Sequence, residues 1–129
     1  MIKLQDISLE LGSFALNKLS MNVRPGEYYV LLGPSGSGKS TLLHTIAGFY
    51  RVKSGRVLLR GINVTNWPPE KREIGFIPQN AYLFPNLNVK ENILFACRSR
   101  RVPFRGGRNF FDYLVKLLEI GYLLDKKIN

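Results

Sequence analysis

A glycine-rich octapeptide, Gly33-Pro34-Ser35-Gly36-Ser37-Gly38-Lys39-Ser40, lies between two apolar runs and constrains this chain more than any other feature. Before it, Tyr28-Tyr29-Val30-Leu31-Leu32 is a continuous apolar run. Such a run suits a strand buried on both faces, and it is the expected central strand. After it, Thr41 to Ala47 has helical spacing of apolar residues, and Gly48 stands where that helix should stop. The order strand, loop, helix, with G-x-x-x-x-G-K-[ST] in the loop, is that of the Walker A phosphate loop. Glycines let the backbone curl around a phosphate with its N–H groups pointing inward, and the start of the helix adds the positive end of its dipole. Lys39 is expected to reach the β- and γ-phosphates, Ser40 to give its hydroxyl to Mg²⁺, and Thr41 to contact the α-phosphate. The competing reading, an ordinary glycine-rich turn, leaves the two flanks unaccounted for.

The rest of the composition narrows the class. With 129 residues, 45% hydrophobic and 22% charged, the chain suits one folded domain with a real core. No run approaches the roughly 18 apolar residues of a membrane span, and the start at Met1 lacks the apolar stretch of a signal peptide, so a cytoplasmic location is expected. A single cysteine, Cys97, excludes an internal disulfide, and a single histidine, His44, leaves no cluster with zinc-ligand spacing. His44 is expected to face solvent. The formal charge of +10 would suit an anionic partner, but much of the excess lies in Arg98, Arg100, Arg101, Arg105 and Arg108, interrupted by Pro103, Gly106 and Gly107. That pattern reads as a solvated connector over 98–108, and nucleic acid is not the expected partner.

Along the chain, Ile2, Leu4, Ile7, Leu9 and Leu11 alternate imperfectly, and Phe14 to Val23 is apolar-rich after Gly12-Ser13, which predicts an antiparallel hairpin. Pro25-Gly26 turns into the central run. Further strands are expected at Arg56 to Arg60, closed by Gly61, and at Ile74 to Ile77, with Pro68-Pro69 between them. Asn88-Val89-Lys90-Glu91 has the capping-box pattern and opens a helix through Ile93 to Phe95. A last helix is expected from Phe110 to Ile120, stopped by Gly121.

The wording from Gly33 to Gly48, GPSGSGKSTLL followed by IAG, resembles the ATP-binding subunits of ABC transporters. Ser54-Gly55-Arg56 before a strand and Gly61 agree with it, as do Ile77-Pro78-Gln79-Asn80 followed by Leu83-Phe84-Pro85, which is similar to the Q-loop, and Asn88 to Ile93. The wording is closest to importers of the molybdate, tungstate, sulfate, sugar and iron type. The resemblance implies an α/β fold: a P-loop NTPase core with an N-terminal antiparallel β subdomain, then the start of a helical subdomain, in an incomplete domain. The core with its Q-loop would occupy 1–87 and the start of the helical part 88–129. It implies ATP and Mg²⁺ as cofactors, held by Gly33, Pro34, Ser35, Gly36, Ser37, Gly38, Lys39, Ser40 and Thr41, with Ser40 and Gln79 at the metal. Lys39 and Gln79 would act on the reaction, Gln79 by sensing the γ-phosphate. An amide suits that place because it ligates a cation without adding charge. The family stacks adenine on an aromatic ring of the N-terminal hairpin. Here Phe14 is the candidate, with Leu11 near the usual position and plain core packing as the alternative.

Expected partners are transmembrane permease subunits, through the segment after Gln79, and a second ATPase subunit as a homodimer, on the inner face of the cell membrane. The LSGGQ signature, the Walker B strand ending in Asp-Glu and the switch histidine are absent from these residues. Ile120 to Asp125 imitates a strand ending in aspartate, but Lys126 stands where glutamate should be. Hydrolysis needs those segments, so this stretch alone is expected to bind ATP and turn over negligibly. The central sheet should lack neighbouring strands and leave apolar surface bare. Two other readings stay open: a short non-catalytic ATP-binding regulatory module, and an ABC-type ATPase acting on nucleic acid.

Overall fold

The computed structural model describes residues 1–80, 82–99 and 107–127. They form two compact units, Met1–Phe76 and Ile77–Asn129, whereas the motifs divide the chain at 87/88. The connector expected over 98–108 falls largely on 100–106, outside the described residues.

In the first unit, β1 (Ile2–Leu11) and β2 (Phe14–Val23) form the expected antiparallel hairpin, with Leu11 opposite Phe14 across the Gly12-Ser13 turn. β3 (Ser54–Leu59) pairs with the other edge of β1, and the short β4 (Ile62–Asn63) pairs with β3, so the sheet runs β2-β1-β3-β4 and is antiparallel throughout. The broken alternation of β1 has a physical cause. Leu4 and Ile7 are three residues apart and would face opposite sides of a regular strand. A register shift between them, with Asp6 in a left-handed conformation, brings both inward. Ser20 secures the irregularity: its Oγ accepts from the Asp6 N–H at 2.9 Å and donates to Asp6 Oδ1 at 3.1 Å. Leu4, Ile7 and Leu9 then pack with Val57, Leu59 and Val64 of the sheet side and with Leu42 and Ile46 of α1 (Lys39–Ala47).

Two expected strands are not formed. Tyr28 to Leu32 and Ile74 to Ile77 carry no ladder hydrogen bonds among the described residues. A strand buried on both faces needs a partner on each edge, and the described segments supply none. Tyr28 is consequently 92% exposed, Leu32 88% and Ile77 95%. The sequence correctly marks these runs as apolar, but their burial depends on pairing that the antiparallel sheet does not provide.

The second unit begins α2 (Val89–Ser99) with the predicted capping box in full: Glu91 N–H donates to Asn88 Oδ1 at 2.8 Å and Asn88 N–H to Glu91 Oε2 at 3.0 Å. The Asn92 amide accepts from Phe84 N–H and donates to the carbonyls of Phe84, Leu87 and Asn88, fixing the turn that precedes the helix. α3 (Gly107–Leu117) stops before Gly121, because Glu119 takes the left-handed position at its end. Ile120 to Asp125 is no strand: Gly121–Leu123 is a 3₁₀ turn. Among the described residues no helix is long and apolar enough to cross a membrane.

Exposed apolar groups this numerous favour self-association. The chain is expected to show a concentration-dependent weight-average mass in sedimentation and a concentration-dependent thermal midpoint. A monodisperse monomer with a sharp transition that does not move with concentration would contradict this.

Candidate phosphate-binding site

The loop Gly33–Gly38 leads into α1 through Gly38, whose φ of 89° is left-handed. Helix formation starts at once, with Leu42 N–H donating to Gly38 O at 2.8 Å. The helix has no side-chain N-cap and no acidic residue in its first turn. Its first amides therefore keep their hydrogen-bonding capacity and the positive end of the helix dipole for an external acceptor.

Lys39 turns back over the loop. Its Nζ donates to Gly33 O at 2.8 Å, to Pro34 O at 2.7 Å and to Ser37 Oγ at 3.3 Å, which uses all three ammonium donors. Ser37 N–H donates to Pro34 O at 3.3 Å and closes the loop on itself. The curl of backbone and the Lys39 ammonium are thus gathered in one place. Ser40 is exposed and Thr41 half-buried on the first turn of α1, so both follow the loop as the motif requires.

Phe14 lies beneath this loop. A Cβ on Gly38 would collide with its ring tip, and the ring packs against the hydrophobic core. The ring is half-buried between the core and the loop. Gly38 is thus required twice over, by its left-handed backbone and by the ring pressed against it. Gln79 belongs to the second unit, where it is exposed. The first unit therefore brings together Phe14 and Gly33–Thr41.

His44 does not face solvent as expected. It is half-buried on α1, its Nδ1 donates to Ser40 O at 2.7 Å, and its ring lies 5.0 Å from Phe76, 5.5 Å from Tyr50 and 5.7 Å from Phe49. Helical periodicity alone places His44 at the margin of the apolar face, and the aromatic residues that cover it come from outside the helix.

Sequence reasoning missed Arg72 altogether. In Pro68-Pro69-Glu70-Lys71-Arg72-Glu73 it reads as one more solvated charge, yet it is only 5% exposed. Nη1 donates to Thr45 O at 2.8 Å and Ile46 O at 2.9 Å, Nη2 to Thr65 O at 3.0 Å and Nε to Trp67 O at 2.9 Å. Among the described residues no carboxylate pairs with it. Desolvation lowers its pKa from the ordinary value. Four carbonyl oxygens, two of them at the negative end of α1, take the place of a counter-ion.

The ABC transporter family matches residues 16–129. The chain belongs to that family. Among curated ABC relatives, the molybdate/tungstate import ATP-binding protein WtpC of Pyrococcus horikoshii is 42% identical over 127 residues, 98% of this chain and 37% of the relative. The spermidine/putrescine import ATP-binding protein PotA of Frankia alni is 42% identical over 113 residues, 88% of this chain and 24% of the relative. The chain thus spans little more than a third of the length of the WtpC relatives it matches. Among solved ABC structures, the ATP-binding cassette MJ0796, a dimer bound to ADP and Pi, superimposes with a TM-score of 0.73 at 26% identity, over 98% of this chain and 61% of that one. An ATP-binding subunit of an ABC transporter superimposes with a TM-score of 0.84 at 21% identity, which concerns the fold alone.

The loop geometry yields a double-mutant test. Gly38→Ala should cost roughly 2 kcal/mol in urea unfolding, from a left-handed alanine and the collision with Phe14. In a Phe14→Ala background the steric part disappears, so the two costs should fall short of additivity by at least about 0.5 kcal/mol. Strict additivity would contradict the contact.

Proposed function

We propose that this chain is the nucleotide-gripping part of an ATPase subunit that powers import of a solute across a membrane, and that it binds Mg-ATP through Gly33–Thr41. The observation that carries the reading is the Lys39 ammonium gathered over a loop whose helix begins with uncapped amides. Charge-assisted bonds to phosphate oxygens are stronger than bonds to neutral carbonyls, so a nucleotide can draw Lys39 off Gly33 and Pro34. The loop amides and the dipole of α1 orient the phosphates and hold their charge.

The described residues fit a metal that arrives with the nucleotide. They contain no group of three or more His, Cys, Asp or Glu able to hold an ion by themselves. Magnesium is commonly bound by few protein ligands together with substrate phosphates. The Ser40 hydroxyl, on the first turn of α1, would be this unit's ligand to it. Bound Mg²⁺ supplies charge neutralisation at the phosphate oxygens. Phe14 serves as a buttress beneath the loop, consistent with its packing against Gly38.

Relatives named as import ATP-binding proteins support the transport role, and the dimeric form of the ADP-bound cassette MJ0796 supports pairing with a second copy. In this reading the exposed segment Tyr82 to Phe84, held by the Asn92 amide, meets a permease subunit on the cytoplasmic side of the membrane. Hydrolysis draws on the signature and Walker B segments of a complete ABC domain, which this sequence lacks.

Calorimetric titration with Mg-ATP tests the proposal. Lys39→Ala should weaken binding by about 10- to 100-fold, the worth of charged hydrogen bonds. A Lys39→Ala chain that binds Mg-ATP as tightly as the parent would sink it.

A further inference from the structure

α1 is held at both ends by different means. Its N-terminus carries the phosphate loop, whereas its C-terminus is gripped by Arg72, whose guanidinium takes the Thr45 and Ile46 carbonyls and ties them to the carbonyls of Thr65 and Trp67. Gly48 makes this possible. A Cβ there would stand 2.6 Å from Arg72 Nε, and its φ of 96° turns the chain so that Gly48 N–H closes on His44 O and Thr45 O. Four residues further on, Phe76 meets the same helix again, with its ring 5.0 Å from that of His44 and 5.5 Å from that of Phe49. Gln79 follows Phe76 by three residues.

We infer that Arg72 is a positioning residue that fastens residues 72–76 to the nucleotide-gripping helix, so that this stretch follows the state of the phosphate loop. The two anchors divide the work. Phe76 on His44 is an aromatic contact that tolerates sliding. The planar fork of Arg72 reads four carbonyls at fixed angles and does not. Its lack of a carboxylate partner suits this task, because an acidic residue would draw the guanidinium away from the helix end. Lysine cannot substitute for it, having one nitrogen where the site uses three. His44 adds continuity along the helix: its Nδ1–H reaches Ser40 O, one turn from the loop, while its ring touches Phe76.

The inference rests on Mg-ATP binding at Gly33–Thr41, and its test separates the two claims. Amide hydrogen exchange is followed over residues 72–76 of the whole chain, with and without Mg-ATP. In the parent, nucleotide should slow exchange there. In Arg72→Met that nucleotide-dependent difference should shrink by roughly threefold or more, the size of a lost coupling. A residue that only stabilises the fold would raise exchange in both states and leave the difference unchanged. Arg72→Lys keeps the positive charge at the end of α1 and serves should the methionine variant fail to fold; it too should reduce the difference. An undiminished difference in a folded variant that still binds Mg-ATP overturns the role of Arg72 alone. A parent chain that binds no Mg-ATP in calorimetry overturns the functional reading and this inference with it.

Discussion

Gly38 decides how the first unit can work, because it is where an irregular loop must become a helix within one residue. Its left-handed backbone starts α1 with no capping side chain, and any Cβ would strike Phe14. Most helices of globular proteins satisfy their first amides with Ser, Thr, Asp or Asn. α1 instead leaves them for an acceptor from outside, and it places Lys39 on the very next residue, where the ammonium closes over Gly33 and Pro34. In the proposed reading, anion affinity is thereby built from backbone geometry, with the Lys39 ammonium in reserve.

The remainder of the unit holds that arrangement in place. Leu42 and Ile46 press α1 onto the antiparallel sheet, whose β1 is bulged so that both Leu4 and Ile7 reach the core. Arg72 fixes the other end of the helix. A nine-residue helix of this kind is too short to be stable by itself. Its orientation, and hence the aim of its amides, comes from these contacts.

Much of this was legible in the sequence, and the exceptions share a cause. The hairpin, α1 with its Gly48 stop, β3 and the Asn88–Glu91 capping box are all local, since their determinants lie within a few residues of one another. Tyr28 to Leu32 and Ile74 to Ile77 read as strands because composition reports a wish for burial, but pairing is decided by distant partners. His44 and Arg72 failed for the same reason in reverse. A lone histidine on a helix and an arginine among prolines and charges look solvated. Only the folded chain brings Phe76 to the one and four carbonyls to the other. The turn from the loop into α1 was legible because its determinants, Gly38 and the helical spacing after it, are local, whereas what Phe14 packs against depended on which face of the hairpin meets Gly38.

In the proposed function this chain grips a nucleotide by its β-phosphate, through the loop amides and Lys39. The most direct measurement is the affinity of one preparation for AMP, ADP and ATP, each with Mg²⁺, by calorimetric titration. The account predicts that ADP and ATP bind comparably while AMP binds at least about 10- to 100-fold more weakly, because it offers the loop no β-phosphate. AMP binding as tight as that of ADP would mean that the base and sugar carry the affinity, and would contradict the account.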